Sequence, residues 1–189
     1  MRELGPPLSL VLDSGRWLAA RVGAECLDRF GEYYDRKRRR ADGDPIALAG
    51  LLALATRDFY TEARMPPVVA DAVAELQHKW RTVLRVPAGV TRHDVRVADI
   101  AAAVAAEFAS PRPAWVGGLT HSPDMMIAAP SAEAINQGRY RFVLGELHVA
   151  FNTVESRALV EQSPDEQRLL AMAETLAGGR RITTVAHRA

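Results

Sequence analysis

The chain of 189 residues predicts an α+β fold, a helical N-terminal half packed with a small mixed β-sheet in the C-terminal half. Up to residue 109, apolar residues recur at three- and four-residue steps, the period of helices buried along one stripe. Beyond Ser110-Pro111-Arg112-Pro113 the pattern changes to short apolar runs bounded by Pro, Gly and Ser, which suit strands. The length suits one medium domain, and with 48% hydrophobic residues the chain can bury a real core. One domain over 1–189 is expected, mainly helical over 1–109 and mixed α/β over 110–189.

The first helix is expected over 8–40, with Trp17, Leu18, Val22, Cys26, Leu27, Phe30 and Tyr34 on its apolar stripe and Ser14 as N-cap. It ends in Arg36-Lys37-Arg38-Arg39-Arg40, cations placed at the negative end of the helix dipole. Asp44-Pro45 is expected to start a second helix, as cap and first position, carrying Ile46, Leu48, Leu51 and Leu52. After Met65-Pro66-Pro67, a third helix over about 67–84 buries Val69, Val73, Leu76, Trp80, Val83 and Leu84. A short strand is expected near His93–Val97, then an alanine-rich fourth helix over 98–108.

In the second half, Asp124–Ala129 reads as a buried strand. Pro130-Ser131 opens a short helix that Gln137-Gly138 closes, and Tyr140–Leu144 is the next strand. A helix over 165–177 ends at Gly178-Gly179, and a last strand is expected over 181–186.

Composition excludes several classes. The net charge is +1, so bulk charge points to no partner. The one cysteine, Cys26, has no cysteine to pair with for a disulfide or a zinc site, and its place on an apolar face suits a buried thiol. No apolar run approaches the roughly 20 residues that span a bilayer. Met1-Arg2-Glu3-Leu4-Gly5 has no signal-peptide pattern, so a cytoplasmic location is expected.

The chemistry-bearing residues are His121, Asp124, Glu146 and His148, in two polar clusters at strand ends. If the strands are neighbours the clusters converge, and a carboxylate beside an imidazole can orient it for acid–base work. Against this, Ser122-Pro123-Asp124 reads as a turn whose Asp caps backbone amides. Glu146 and His148 alternate around Leu147 on one strand face, the solvated one. Spacing alone favours the structural reading. It matches no linear metal motif such as H-E-x-x-H, so no metal site is expected. The Arg36–Arg40 run can meet RNA phosphates, but as a solvated helix end it needs no ligand, and no aromatics interleave it. Gly117-Gly118 lacks the spacing and lysine of a phosphate loop.

The block His121-Ser122-Pro123-Asp124-Met125-Met126-Ile127-Ala128-Ala129, followed by Gly138-Arg139-Tyr140-Arg141-Phe142-Val143-Leu144-Gly145-Glu146-Leu147-His148 and Asn152-Thr153-Val154-Glu155-Ser156, resembles the lantibiotic dehydratase family. Upstream, Leu8–Ser14 and Pro66–Val73 are similar to stretches of actinobacterial members, so the resemblance spans roughly residues 8–176. The matching region is part of the large N-terminal, glutamylating portion of those enzymes.

The resemblance implies transfer of glutamate from glutamyl-tRNA onto Ser or Thr hydroxyls of a precursor peptide, followed by elimination to the dehydro residue. A carboxylate leaves far more readily than hydroxide, which makes the elimination feasible under mild conditions. Family members are several times longer and carry a separate elimination domain, so the chain is expected to be a truncated or split component acting with a second dehydratase subunit. On this reading His121, Ser122, Asp124, Glu146 and His148 supply positioning and polar contacts at the active cleft. Arg36, Lys37, Arg38, Arg39 and Arg40 contact the tRNA. Glutamyl-tRNA is a co-substrate and no cofactor is implied. The alternative is a noncatalytic peptide- or RNA-binding module of a peptide-modifying complex.

Overall fold

Proline at the head of the chain sets the first helix. In the computed structural model, which describes residues 4–41, 43–59, 66–110, 118–149 and 160–177, helix α1 runs Gly5–Arg40. Pro6 and Pro7 stand in its first turn, where a missing N–H costs nothing. Ser14, expected as the cap, is instead inside the helix and buried, its hydroxyl donating to Val11 O at 2.8 Å. The back-bond to the preceding turn satisfies the hydroxyl within the helix. The second helix, α2, spans Leu48–Phe59. Asp44-Pro45 lies ahead of it, because the Asp44 amide closes a turn onto Ala41 O at 2.8 Å. Helix α3 (Pro67–Leu84) and helix α4 (Val97–Glu107) fall where the periodicity puts them. The strand expected near His93–Val97 is absent, since residues 93–96 lead directly into α4.

The chain divides into two compact units, Met1–Ala114 and Trp115–Ala189. In the first, Trp17, Val83, Val104 and Phe108 form a core, with Leu10, Leu18, Leu76, Trp80 and Ile100 packed around it. Phe108 meets Trp17 edge-on at 6.0 Å between centroids and Trp80 at 5.0 Å, geometries that aromatic quadrupoles favour. Lys79 joins three helices. Its ammonium donates to Glu107 O at 2.9 Å, lies 3.6 Å from the Glu107 carboxylate and stands 5.1 Å from the Trp17 ring centroid. The carbonyl it meets is one of those left unpaired at the end of α4.

Helix α1 buries different faces along its length. Trp17 joins the core, while Tyr33, not the expected Tyr34, is buried further along. At 100° per residue these two positions stand about 160° apart around the helix. Leu27, expected on the stripe, is exposed.

The second unit carries a two-stranded antiparallel sheet, strand β1 (His121–Ala128) against strand β2 (Arg141–Val149). The α+β class therefore holds, with an antiparallel rather than mixed sheet among the described residues. Helix α5 (Ala132–Asn136) links the strands. Ser131 caps it by accepting from Ala134 N at 3.2 Å. Gly138, at φ +73°, ends it: Gly138 N bonds Ile135 O at 2.9 Å and Arg139 N bonds Ala134 O at 2.7 Å. This paired closure needs a left-handed residue, which glycine adopts without strain. Helix α6 (Glu166–Ala177) begins after Asp165, whose carboxylate accepts from Arg168 N at 3.0 Å. The strand expected over 181–186 lies outside the described residues. No helix among the described residues is long and apolar enough to cross a membrane.

Candidate functional site

The register of the two strands decides which polar residues meet. His121 pairs with Val149, Ser122 with His148 and Pro123 with Leu147, but beyond that point Met125 pairs with Leu144. One residue of β1, Asp124, therefore faces two of β2, Gly145 and Glu146, which is a β-bulge. The bulge switches the face parity of β2. On one side lie Ser122, Asp124, Glu146 and His148. The other carries Pro123, Met125, Phe142, Leu144 and Leu147, all half-buried. Gly145 fits the close approach: a Cβ there would meet Asp124 O and Met126 Cε at 3.7 Å.

Ser122-Pro123-Asp124, read from sequence as a turn, is thus extended strand. Asp124–Ala129 is not a buried strand either, because Met126 and Ile127 are 57% and 52% exposed. Among the described residues β1 pairs with β2 alone, which leaves much of it open to solvent.

Three side chains converge. His148 Nε2 lies 3.1 Å from Asp124 Oδ2 and 3.2 Å from Glu146 Oε2. One donor atom from each residue falls within 4.8 Å of the others. All three are exposed, with side chains 52%, 61% and 74% accessible for His148, Asp124 and Glu146. Both carboxylates approach the same imidazole nitrogen, an arrangement that can share one proton or offer mixed nitrogen and oxygen ligands. Ser122 is the cross-strand neighbour of His148. His121 sits one residue earlier and so on the opposite face, and the structure does not gather it with the other four.

A second cluster lies in the helical unit. A groove of about 560 Å³ is lined by Arg29, Glu32, Tyr33, Arg36, Lys37 and Arg40 of α1 and by Leu54 of α2. Lys37 reaches across to α2, where a Cβ on Gly50 would stand 3.7 Å from its Nζ. The Arg36 guanidinium stacks 4.6 Å from the Tyr33 ring centroid. The basic run is thus divided. Arg36, Lys37 and Arg40 line the groove, whereas Arg38 bonds the Tyr34 hydroxyl at 3.4 Å and Arg39 is exposed outside it. Arg29 stands apart from the contiguous run, so the run alone does not point to it. Its signal in the sequence is the helical spacing 29, 33, 36, 37, 40, which places one face toward the groove.

Cys26 is half-buried, and burial first, then the Glu25 carboxylate, push its thiol up from the ordinary value. A thiol kept protonated this way is a poor nucleophile.

Comparison of the chain with family models, curated proteins and solved structures finds no match.

Proposed function

We propose that the chain is a lantibiotic-dehydratase-like component serving glutamyl-tRNA-dependent dehydration of a Ser/Thr-bearing precursor peptide, in the cytoplasm and together with a second polypeptide. Its own part is to bind the RNA. The observation that carries this reading is the groove of Arg29, Arg36, Lys37 and Arg40, in a chain whose net charge is only +1. Cations concentrated in one groove against a neutral background suit a phosphate backbone, and Arg36 on Tyr33 holds its guanidinium in place. The resemblance of the β1–β2 block supplies the reaction class. The openness of Asp124, Glu146 and His148 supports the need for a partner, since acyl transfer from an ester requires a site that excludes water.

The chain alone should bind glutamyl-tRNA in a filter or fluorescence assay. Replacing Arg36, Lys37 and Arg40 together by Gln should weaken binding and lower the salt slope by roughly one for each phosphate no longer neutralised. The paired change Arg38→Gln and Arg39→Gln should do far less. Equal effects from the two sets would remove the groove from the reading. With a Ser/Thr-rich peptide, mass spectrometry should show a glutamyl adduct only when the second polypeptide is added.

The noncatalytic alternative draws on a different observation. Among the described residues the sheet has two strands, so a peptide can add along an edge. Peptide binding without an adduct, with or without the second polypeptide, would favour it.

A further inference from the structure

We propose that Asp124, Glu146 and His148 form a binding site for a divalent transition-metal ion of the zinc or manganese type. This inference is independent of the RNA-binding reading and uses residues of the other unit.

The donor set is chemically mixed: one imidazole nitrogen and two carboxylates. Such a set suits borderline ions, where imidazole favours zinc, iron or nickel and carboxylate favours manganese or magnesium. The two spacings from the imidazole nitrogen suit the same ions, and the two carboxylate oxygens lie within 4.8 Å of each other. Around a metal with bonds of about 2.1 Å, neighbouring ligand atoms stand about 3.0 Å apart in octahedral and about 3.4 Å apart in tetrahedral geometry. The two nitrogen–oxygen separations, 3.1 and 3.2 Å, lie between those values.

Without a cation, two carboxylates share one nitrogen. Nε2 carries at most one proton, yet it stands at hydrogen-bond distance from two carboxylates at once. A divalent ion resolves this, because each of the three atoms can give it a lone pair and its charge offsets both carboxylates. The backbone supplies the means. The bulge at Gly145-Glu146 keeps Glu146 on the face of Asp124 and His148 while the strand beyond it changes parity. No linear motif reveals the set, since Asp124 and His148 are 24 residues apart and meet only by strand pairing.

Exposure of all three side chains leaves the remaining coordination positions open to water. In structural zinc sites four protein ligands close the shell, so an open shell of this kind is the form that binds and polarises a further ligand. The ligand class it would take is an oxygen donor, a carboxylate or a phosphate.

The test uses the full chain. Titration with Co²⁺ should give a visible absorption band that saturates at one ion per chain and is displaced by Zn²⁺. Asp124→Asn, Glu146→Gln and His148→Gln should each weaken binding at least roughly tenfold, the lower end of what even an indirect partner's loss costs a metal site. His78→Gln, on the exposed face of α3, should leave it unchanged. In two-dimensional NMR, the imidazole nitrogens of His148 should shift on adding Zn²⁺, a readout that holds even if a variant folds less well. No saturable band up to millimolar Co²⁺, or a band of equal strength in the His148→Gln chain with no His148 shift, would overturn the proposal.

Discussion

The two units use polar side chains in opposite ways. In the helical unit they hold elements together: Lys79 bridges α3 to α4 beside Trp17, and Arg21 of α1 reaches Glu75 of α3 at 3.4 Å. On the strand pair, Asp124, Glu146 and His148 cluster on an exposed face while Pro123, Met125, Phe142, Leu144 and Leu147 are half-buried on the other. Polar groups that tie helices are removed at a cost in stability, whereas an exposed cluster on one face can be changed with little cost. Surface substitutions away from caps and cores usually move stability by less than about 0.5 kcal/mol. The contrast therefore separates residues that keep the fold from residues free to serve a ligand.

The largest expected effect lies in the helical core. Phe108 is 4% exposed and touches both Trp17 and Trp80. Truncation to Ala should cost about 3–5 kcal/mol, read as a lower midpoint in urea monitored by far-UV circular dichroism. Asp124→Asn should leave that midpoint nearly unchanged. If both variants lost the same stability, the division of labour would collapse.

Lys79→Met sharpens the contrast within the helical unit. It keeps most of the stem and removes the ammonium that meets Glu107 O and the Trp17 ring. Hydrogen bonds from charged groups contribute roughly 1.5–3 kcal/mol, and partial exposure of this side chain argues for the lower end. A midpoint as high as the parent chain's would mean that packing, not the charge, joins these helices.

Legibility follows locality. Helices α3 and α4 are readable because each shows one uninterrupted apolar stripe, and α3 also begins at a Pro-Pro pair. Helix α5 is readable from both caps, since Ser131 and Gly138 each have a local reason to be there. Ser14 misleads because the preference of Ser for an N-cap competes with Pro6-Pro7, which start the helix earlier. Tyr34 stands out over Tyr33 only when one stripe is extended along a helix that meets different neighbours at its two ends. At the site, the shared face of Glu146 and His148 follows from alternation and is visible in sequence. The entry of Asp124 into that cluster depends on a bulge and a pairing register, which are properties of two strands together.

A smaller effect is expected at Gly138. A Cβ at φ +73° costs about 1 kcal/mol in the left-handed region, so Gly138→Ala should lower stability by that order. The readout is faster amide hydrogen exchange at positions 138 and 139, whose bonds close α5. Unchanged protection there would mean that strand pairing alone holds the connection.

The smallest effect concerns Glu133, and it tests whether the strand unit has any pH-sensitive contact that serves the fold. Its carboxylate sits below the ordinary carboxylate range because it accepts first from its own backbone N–H and then from the Ser131 hydroxyl. A carboxylate depressed in the folded state contributes stability above the pKa of the unfolded chain and loses it as pH falls through the lower, folded value. The contribution should therefore be complete at neutral pH and fade only in acid. Carboxyl-carbon NMR should place the Glu133 midpoint below that of an ordinary glutamate, and Ser131→Ala should raise it. The same substitution removes the cap on Ala134 N. Loss of capping at neutral pH with no movement of the Glu133 midpoint would show that the hydroxyl serves the helix backbone alone.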